Sequence, residues 1–168
     1  MKQLFLSILF VGLSLFSASA QKFGYINTQE LLVGLTEMKL ADNQVQALQT
    51  ELLSKGEEMV IKFEADYKAY MAEANSGTLS KVQMQQKEEV LVAKQEEIKK
   101  YEAEIQQKVG MKREELYKPI LDKVKAEIEK LGKENGYTMI FDSSSGMILH
   151  ATETEDLGPV LKTRLGVN

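Results

Sequence analysis

His150 is the only histidine in the chain, and the side chains around it are those from which a catalytic base could be built. Glu153 and Glu155 follow it, and Ser143-Ser144-Ser145 precede it. A histidine oriented by a carboxylate could take a proton from a serine hydroxyl, as acyl transfer requires. That chemistry needs nucleophile, base and oxyanion donor at fixed spacing, and no such arrangement is recognisable here. A polar loop accounts for the serines fully. The other chemistries fail on residue counts. With no cysteine the chain has no thiol nucleophile, no disulfide and no lipid-bearing Cys, and one histidine cannot build a His-rich metal site. Gly34 and Gly56 match no phosphate-binding loop, and the carboxylates match no calcium-loop pattern. The sequence therefore points away from catalysis, with no catalytic residue, cofactor or metal expected.

The elements that would position these residues begin after a leader. Met1-Lys2, an apolar run over Leu4–Phe16 and the small residues Ala18-Ser19-Ala20 read as a secretory signal peptide covering residues 1–20. Removing those twenty of 168 residues leaves 148, starting at Gln21, with 20 Lys+Arg against 25 Asp+Glu and a net charge of −5. An acidic balance disfavours general nucleic-acid binding, which needs a surplus of cations. No second apolar run is long enough to span a bilayer, so no stable membrane insertion is expected and the mature chain reads as soluble or peripheral. Nine aromatic residues remain, three Phe and six Tyr, a thin supply for a deep core, so much of the chain is expected to be elongated.

Lys22–Ile26 reads as a strand. Asn27 or Thr28 can cap a helix, with Glu30 three residues beyond Asn27 to complete a capping box, and that helix of about 46 residues stops at Asn75-Ser76-Gly77. Ser80 with Gln83 opens a second helix of about 54 residues, interrupted only by Pro119 and ending at Asn135-Gly136. Tyr137–Phe141 and Met147–Leu149, separated by Asp142-Ser143-Ser144-Ser145-Gly146, carry a hairpin signature. A short helix over about Thr154–Leu165 tolerates Pro159 in its first turn.

Helices of this length call for a coiled coil. Val45, Leu48, Leu52, then Gly56, Met59, Phe63, then Tyr67, Tyr70, Ala74 repeat every eleven residues, and Ile98, Tyr101, Ile105, Val109, Lys112, Leu116 and Ile120 do so less regularly. Such a period predicts a nearly straight or weakly right-handed supercoil. Folding back at Asn75–Gly77 pairs Val45 with Val109, Leu48 with Ile105, Leu52 with Tyr101, Phe63 with Val90 or Leu91, and Tyr70 with Met84. The residue numbers in every pair add to 153 or 154. Two patterns read separately thus give one register, that of an antiparallel hairpin within one chain. Six Glu-before-Lys pairs at four-residue spacing, from Glu51–Lys55 to Glu114–Lys118, are expected to stiffen it.

The expected fold class is α+β: a long coiled-coil arm over residues 36–118, with its tip at 75–79, on a small β body from 21–35 and 119–168. Phe23, Tyr25, Ile26, Met139, Ile140, Phe141 and Ile148 are too few to make a good core for one chain. They are expected to pair between subunits, making the protein an oligomer. A monomeric α+β cap closed by the last helix is the alternative. Pro119 removes one helical hydrogen bond and is expected to kink the second helix, as a tolerated bend or as a hinge for the arm.

Lys22-Phe23-Gly24-Tyr25-Ile26-Asn27 after a signal peptide, running into a charged hairpin, resembles the Skp/OmpH family of periplasmic chaperones. Lys118-Pro119-Ile120, Lys123-Val124, Ile128, Glu134-Asn135-Gly136-Tyr137 and Phe141-Asp142 are similar to that family's return helix and second strand, and Asp156-Leu157 with Val160-Leu161 to its terminal helix. The resemblance implies a homotrimer with a β body shared by three subunits. It also implies a cavity between three arms in which unfolded outer-membrane proteins are held without ATP, in the periplasm. The family's basic members draw acidic clients by charge. Here Thr36–Lys130 carries 16 Lys+Arg and 19 Asp+Glu, so capture would rest on apolar contacts and local Lys clusters such as Lys99-Lys100. Tyr67, Tyr70, Met71, Leu79 and Met84 are the candidate client contacts. The repeat also places Tyr67, Tyr70 and Met84 in the seam, which leaves Met71 and Leu79 as the better exposed candidates. The rival function is an envelope adaptor or spacer whose hairpin docks one folded partner through its tip.

Overall fold

The computed structural model describes residues 21–167; the leader read at residues 1–20 lies outside them. The elements run strand β1 (Lys22–Ile26), helix α1 (Thr28–Gly34), helix α2 (Thr36–Asn75), helix α3 (Lys81–Asn135), strand β2 (Tyr137–Asp142), a 3-10 turn (Glu153–Glu155) and helix α4 (Gly158–Leu165). At about 1.5 Å per residue, the 40 residues of α2 and 55 of α3 span roughly 60 and 80 Å.

Their ends follow local chemistry. Ser80 accepts a hydrogen bond from the Gln83 N–H at 3.3 Å, while the Gln83 side chain accepts from the Ser80 N–H at 2.9 Å, completing the expected capping box. At Asn27 only half forms: its side chain accepts from the Glu30 N–H at 3.0 Å, and the Glu30 carboxylate pairs with Lys162 instead. Gly136 ends α3 at φ 67°, a left-handed conformation that glycine adopts without strain. Helix α3 continues through Pro119, which lies exposed.

Three expectations are corrected. The first long helix is broken at Leu35, whose φ −69° and ψ 127° are extended. Leu35 is buried at 3% exposure, and breaking the helix there turns α1 aside to pack on α4. The hairpin over Tyr137–Phe141 and Met147–Leu149 does not form. Instead β2 pairs in parallel with β1, matching Phe23 with Met139, Gly24 with Ile140 and Tyr25 with Phe141. The Ser143 N–H continues along β1 by donating to the Ile26 carbonyl at 2.9 Å, so the chain leaves the turn away from the free edge of β2. Finally, the last helix starts at Gly158 rather than near Thr154, because Asp156 bridges to Tyr25 and the Leu157 N–H donates to the Tyr25 carbonyl at 2.9 Å.

Two apolar clusters hold the chain together. In the arm, Val45, Leu52, Tyr101, Ile105 and Val109 are buried with Leu48 and Met59 against them, as an antiparallel seam requires. The expected register is corrected by about one helical turn: Tyr70 bonds Glu88 rather than facing Met84, Asp66 pairs with Lys94, and a Cβ at Gly56 would stand 3.5 Å from Tyr101, because the helices stop at Asn75 and restart at Lys81 and the fold-back centres beyond Gly77. The body core is larger than the strands alone suggested. Ile26, Leu31, Leu35, Met38, Ala41, Ile120, Val124, Leu131, Leu157 and Leu161 form it, drawn mainly from α1, α4 and the roots of α2 and α3. Gly24 makes room for Leu157: a Cβ there would lie 2.8 Å from Leu157 Cδ1. The charged residues also pair differently from expectation. Of the six expected Glu–Lys pairs only Glu104–Lys108 closes, at 3.3 Å. The outer arm is tied across the helices by Glu73–Lys87 at 2.6 Å and by Asp66–Lys94, and its root by Glu37–Lys123 at 2.7 Å.

Candidate functional site

The seam of the outer arm separates two grooves that differ in their charged groups. Tyr70 and Leu91 line both. On one side Asp66, Lys87 and Lys94 bring charge to a groove whose lining also includes Ala69 and the exposed Val90, with the interhelical ion pairs lying there. On the other side a groove of about 550 Å³ is lined by Phe63, Tyr67, Met71 and Val92, with Glu88 and Gln95. Phe63 and Tyr67 stack at 6.4 Å between ring centroids.

This apolar side continues down α2. Leu53, Val60 and Tyr67 recur every seven residues and Met71 follows four later, spacings that share one helical face. All four are exposed, at 52%, 38%, 47% and 39%. Over the 18 residue-to-residue steps from Leu53 to Met71 that flank is about 27 Å long.

The five candidate contacts therefore separate. Tyr67 and Met71 lie exposed on the apolar groove, while Tyr70, Leu79 and Met84 are half-buried. Tyr70 donates its hydroxyl to Glu88 at 2.6 Å. That bond to a carboxylate is the main cause of a pKa raised above the ordinary tyrosine range, so the phenol stays neutral. Sequence reasoning missed Leu53, Val60 and Val92. The seven-residue spacing beside the seam was the available signal.

The body exposes a second apolar face. In-register pairing puts Phe23, Tyr25, Met139 and Phe141 on the outward side of the sheet, with Phe23 and Phe141 rings 6.2 Å apart. Met147 and Ile148 join Phe23, Tyr25 and Phe141 around a cavity of about 700 Å³. Ile26 points the other way and is buried within its own chain at 1% exposure, and Ile140 packs against the same core.

His150 borders that cavity and is exposed. The serines before it serve the turn: the Ser144 N–H donates to Asp142 Oδ1 at 2.9 Å, and Thr28 donates its hydroxyl to Asp142 Oδ2 at 2.6 Å. Among the described residues no hydrogen bond joins His150 to a serine or carboxylate, and no cluster of three potential metal ligands occurs.

The OmpH family model, described as outer membrane protein (OmpH-like), matches residues 22–165, from the first residue of β1 to the last of α4. The chain belongs to the OmpH-like family. In structure it is similar to a candidate outer membrane chaperone (OmpH-like) from Caulobacter crescentus, with a TM-score of 0.73 at 11% identity. The alignment covers 89% of this chain and 86% of that one, a likeness of fold. No curated protein matches the chain. The OmpH-like fold is thus present here as long helices, a two-stranded sheet and a short C-terminal helix. Among the described residues no helix is long and apolar enough to cross a membrane.

Proposed function

We propose that this chain is an ATP-independent holdase chaperone of the periplasm that binds unfolded outer-membrane proteins and keeps them from aggregating. The observation that carries this reading is the exposed apolar flank Leu53–Val60–Tyr67–Met71, across the seam from the interhelical pairs Asp66–Lys94 and Glu73–Lys87. A flat stripe of aliphatic, aromatic and thioether groups suits many sequences because it demands no partner geometry. Membership of the OmpH-like family and a fold shared with a candidate outer membrane chaperone support the same role. With 16 cations against 19 anions over Thr36–Lys130, long-range steering of acidic chains is weak, so contact at the flank carries the binding.

The chain works as a homotrimer in this reading. Phe23, Tyr25, Met139, Phe141 and Ile148 meet sister copies across the open sheet face, and three arms turn their apolar flanks toward an enclosed space. Pro119, near the arm's root, lets each arm adjust to its cargo. An adaptor docking through its tip has less support, because Ser76–Ser80 is polar apart from the half-buried Leu79.

The test mixes the mature chain, without nucleotide, with an outer-membrane barrel protein diluted from urea. Light scattering should be suppressed at about one trimer per client, and unchanged scattering would refute the holdase.

A further inference from the structure

The chain carries eight methionines and no cysteine, so methionine is its only sulfur chemistry. Beyond the leader the seven methionines divide by environment. Met38 is in the body core, Met59 and Met84 are half-buried, and Met71, Met111, Met139 and Met147 are exposed at 39%, 63%, 55% and 80%. Of the exposed four, only Met71 lines the apolar groove of the outer arm, beside Tyr67 and Val92.

We propose that Met71 is an oxidation-sensitive contact through which peroxide reversibly weakens client holding; this rests on the chaperone reading above. The thioether sulfur attacks one peroxide oxygen and supplies two electrons. The O–O bond breaks, sulfur keeps one oxygen as the sulfoxide, and the other leaves as water with both protons. The product replaces a flexible apolar contact with a strong dipole. Of the groove's polar groups, Glu88 accepts the Tyr70 hydroxyl and repels the sulfoxide oxygen, which leaves the Tyr67 hydroxyl and the Gln95 amide as donors. An apolar client segment seated there would have to displace water from a dipole that the thioether did not carry. A five- to ten-fold loss of client affinity is expected, on the order of one buried side chain made polar. Two thiols supplied by a sulfoxide reductase restore the thioether, the oxygen leaving as water while the thiols become a disulfide, so the change is reversible.

The test treats the purified mature chain with graded hydrogen peroxide, maps sulfoxide by peptide mass spectrometry and measures affinity for a urea-diluted outer-membrane barrel protein. Affinity should fall in step with Met71 conversion. A Met71→Leu chain, with Met111, Met139 and Met147 still oxidisable, should keep whatever affinity it had before treatment. A Met71→Gln chain should bind weakly without oxidant, and Met111→Leu should lose the same share as the parent. If full Met71 conversion leaves affinity unchanged, or Met71→Leu loses as much as the parent, the inference fails and the chaperone reading stands. If the untreated chain holds no client, both fall.

Discussion

Removing the hydroxyl of Tyr101 should stabilise the protein. The residue is 9% exposed in the arm seam, and its hydroxyl is buried without a hydrogen-bond partner. The ring itself is well placed: a Cβ at Gly56 would stand 3.5 Å from its Cε1, and the Lys55 and Lys108 ammonium groups lie 5.6 and 5.8 Å from its centroid. Tyr101→Phe keeps those ring contacts and deletes the orphan group. An unsatisfied buried polar group costs about 1–3 kcal/mol. The oxygen's lost dispersion contacts, at about 0.1–0.2 kcal/mol each, return part of that. The net gain is about 1 kcal/mol, worth roughly 2–4 °C in midpoint for a chain of this size. Thermal and urea unfolding followed by circular dichroism, at one fixed protein concentration, would read it. A lower midpoint with an unchanged urea slope would refute the reasoning, since the hydroxyl would then be bonded in solution.

Truncating Leu161, fully buried where α4 meets the body core, should cost about 2–5 kcal/mol as Leu161→Ala, read as a lower urea midpoint. Gly136→Ala forces a side chain into φ 67° at the end of α3 and should cost about 1–2 kcal/mol by the same measurement. Burial pushes the Asp142 carboxyl's pKa up, but the hydrogen bonds from Thr28 and Ser144 together outweigh it and hold the pKa below the ordinary aspartate range. A depressed folded-state value stabilises the protein above the unfolded pKa of about 3.9, and that contribution is lost as pH falls through the lower folded value. Unfolding midpoints from neutral down to strongly acidic pH should therefore fall less steeply for Asp142→Asn than for the parent.

What the sequence made legible was local or periodic. The Ser80–Gln83 box and the stop at Gly136 each lie within one or two helical turns and the seam repeats every three, so the fold-back was legible, while its register was read about one turn off. The break at Leu35 was hidden because Leu31, Leu35, Met38, Ala41 and Val45 keep helical spacing straight through it. Periodicity records which side is buried, not whether the axis continues. The hairpin expectation failed for a related reason. Tyr137–Phe141 pairs with a strand more than a hundred residues away, and the loop after it satisfies Asp142 against Thr28 at the start of α1 rather than folding back on β2. The body core was underestimated because it comes from helix roots and α4, brought together only by the closed arm. At the candidate site, Met71 was legible as an exposed thioether. The flank Leu53–Val60 went unread beside a stronger seam pattern.

The central claim is that clients are held on the apolar side of the arm and not on its ion-paired side. The cysteine-free chain allows one introduced thiol at a time, labelled with benzophenone and illuminated with an unfolded outer-membrane protein bound. Val60→Cys on the apolar flank should give a strong client adduct, and Gln86→Cys in the opposite groove should give little. Equal adducts from both positions, or a stronger one from position 86, would contradict the account.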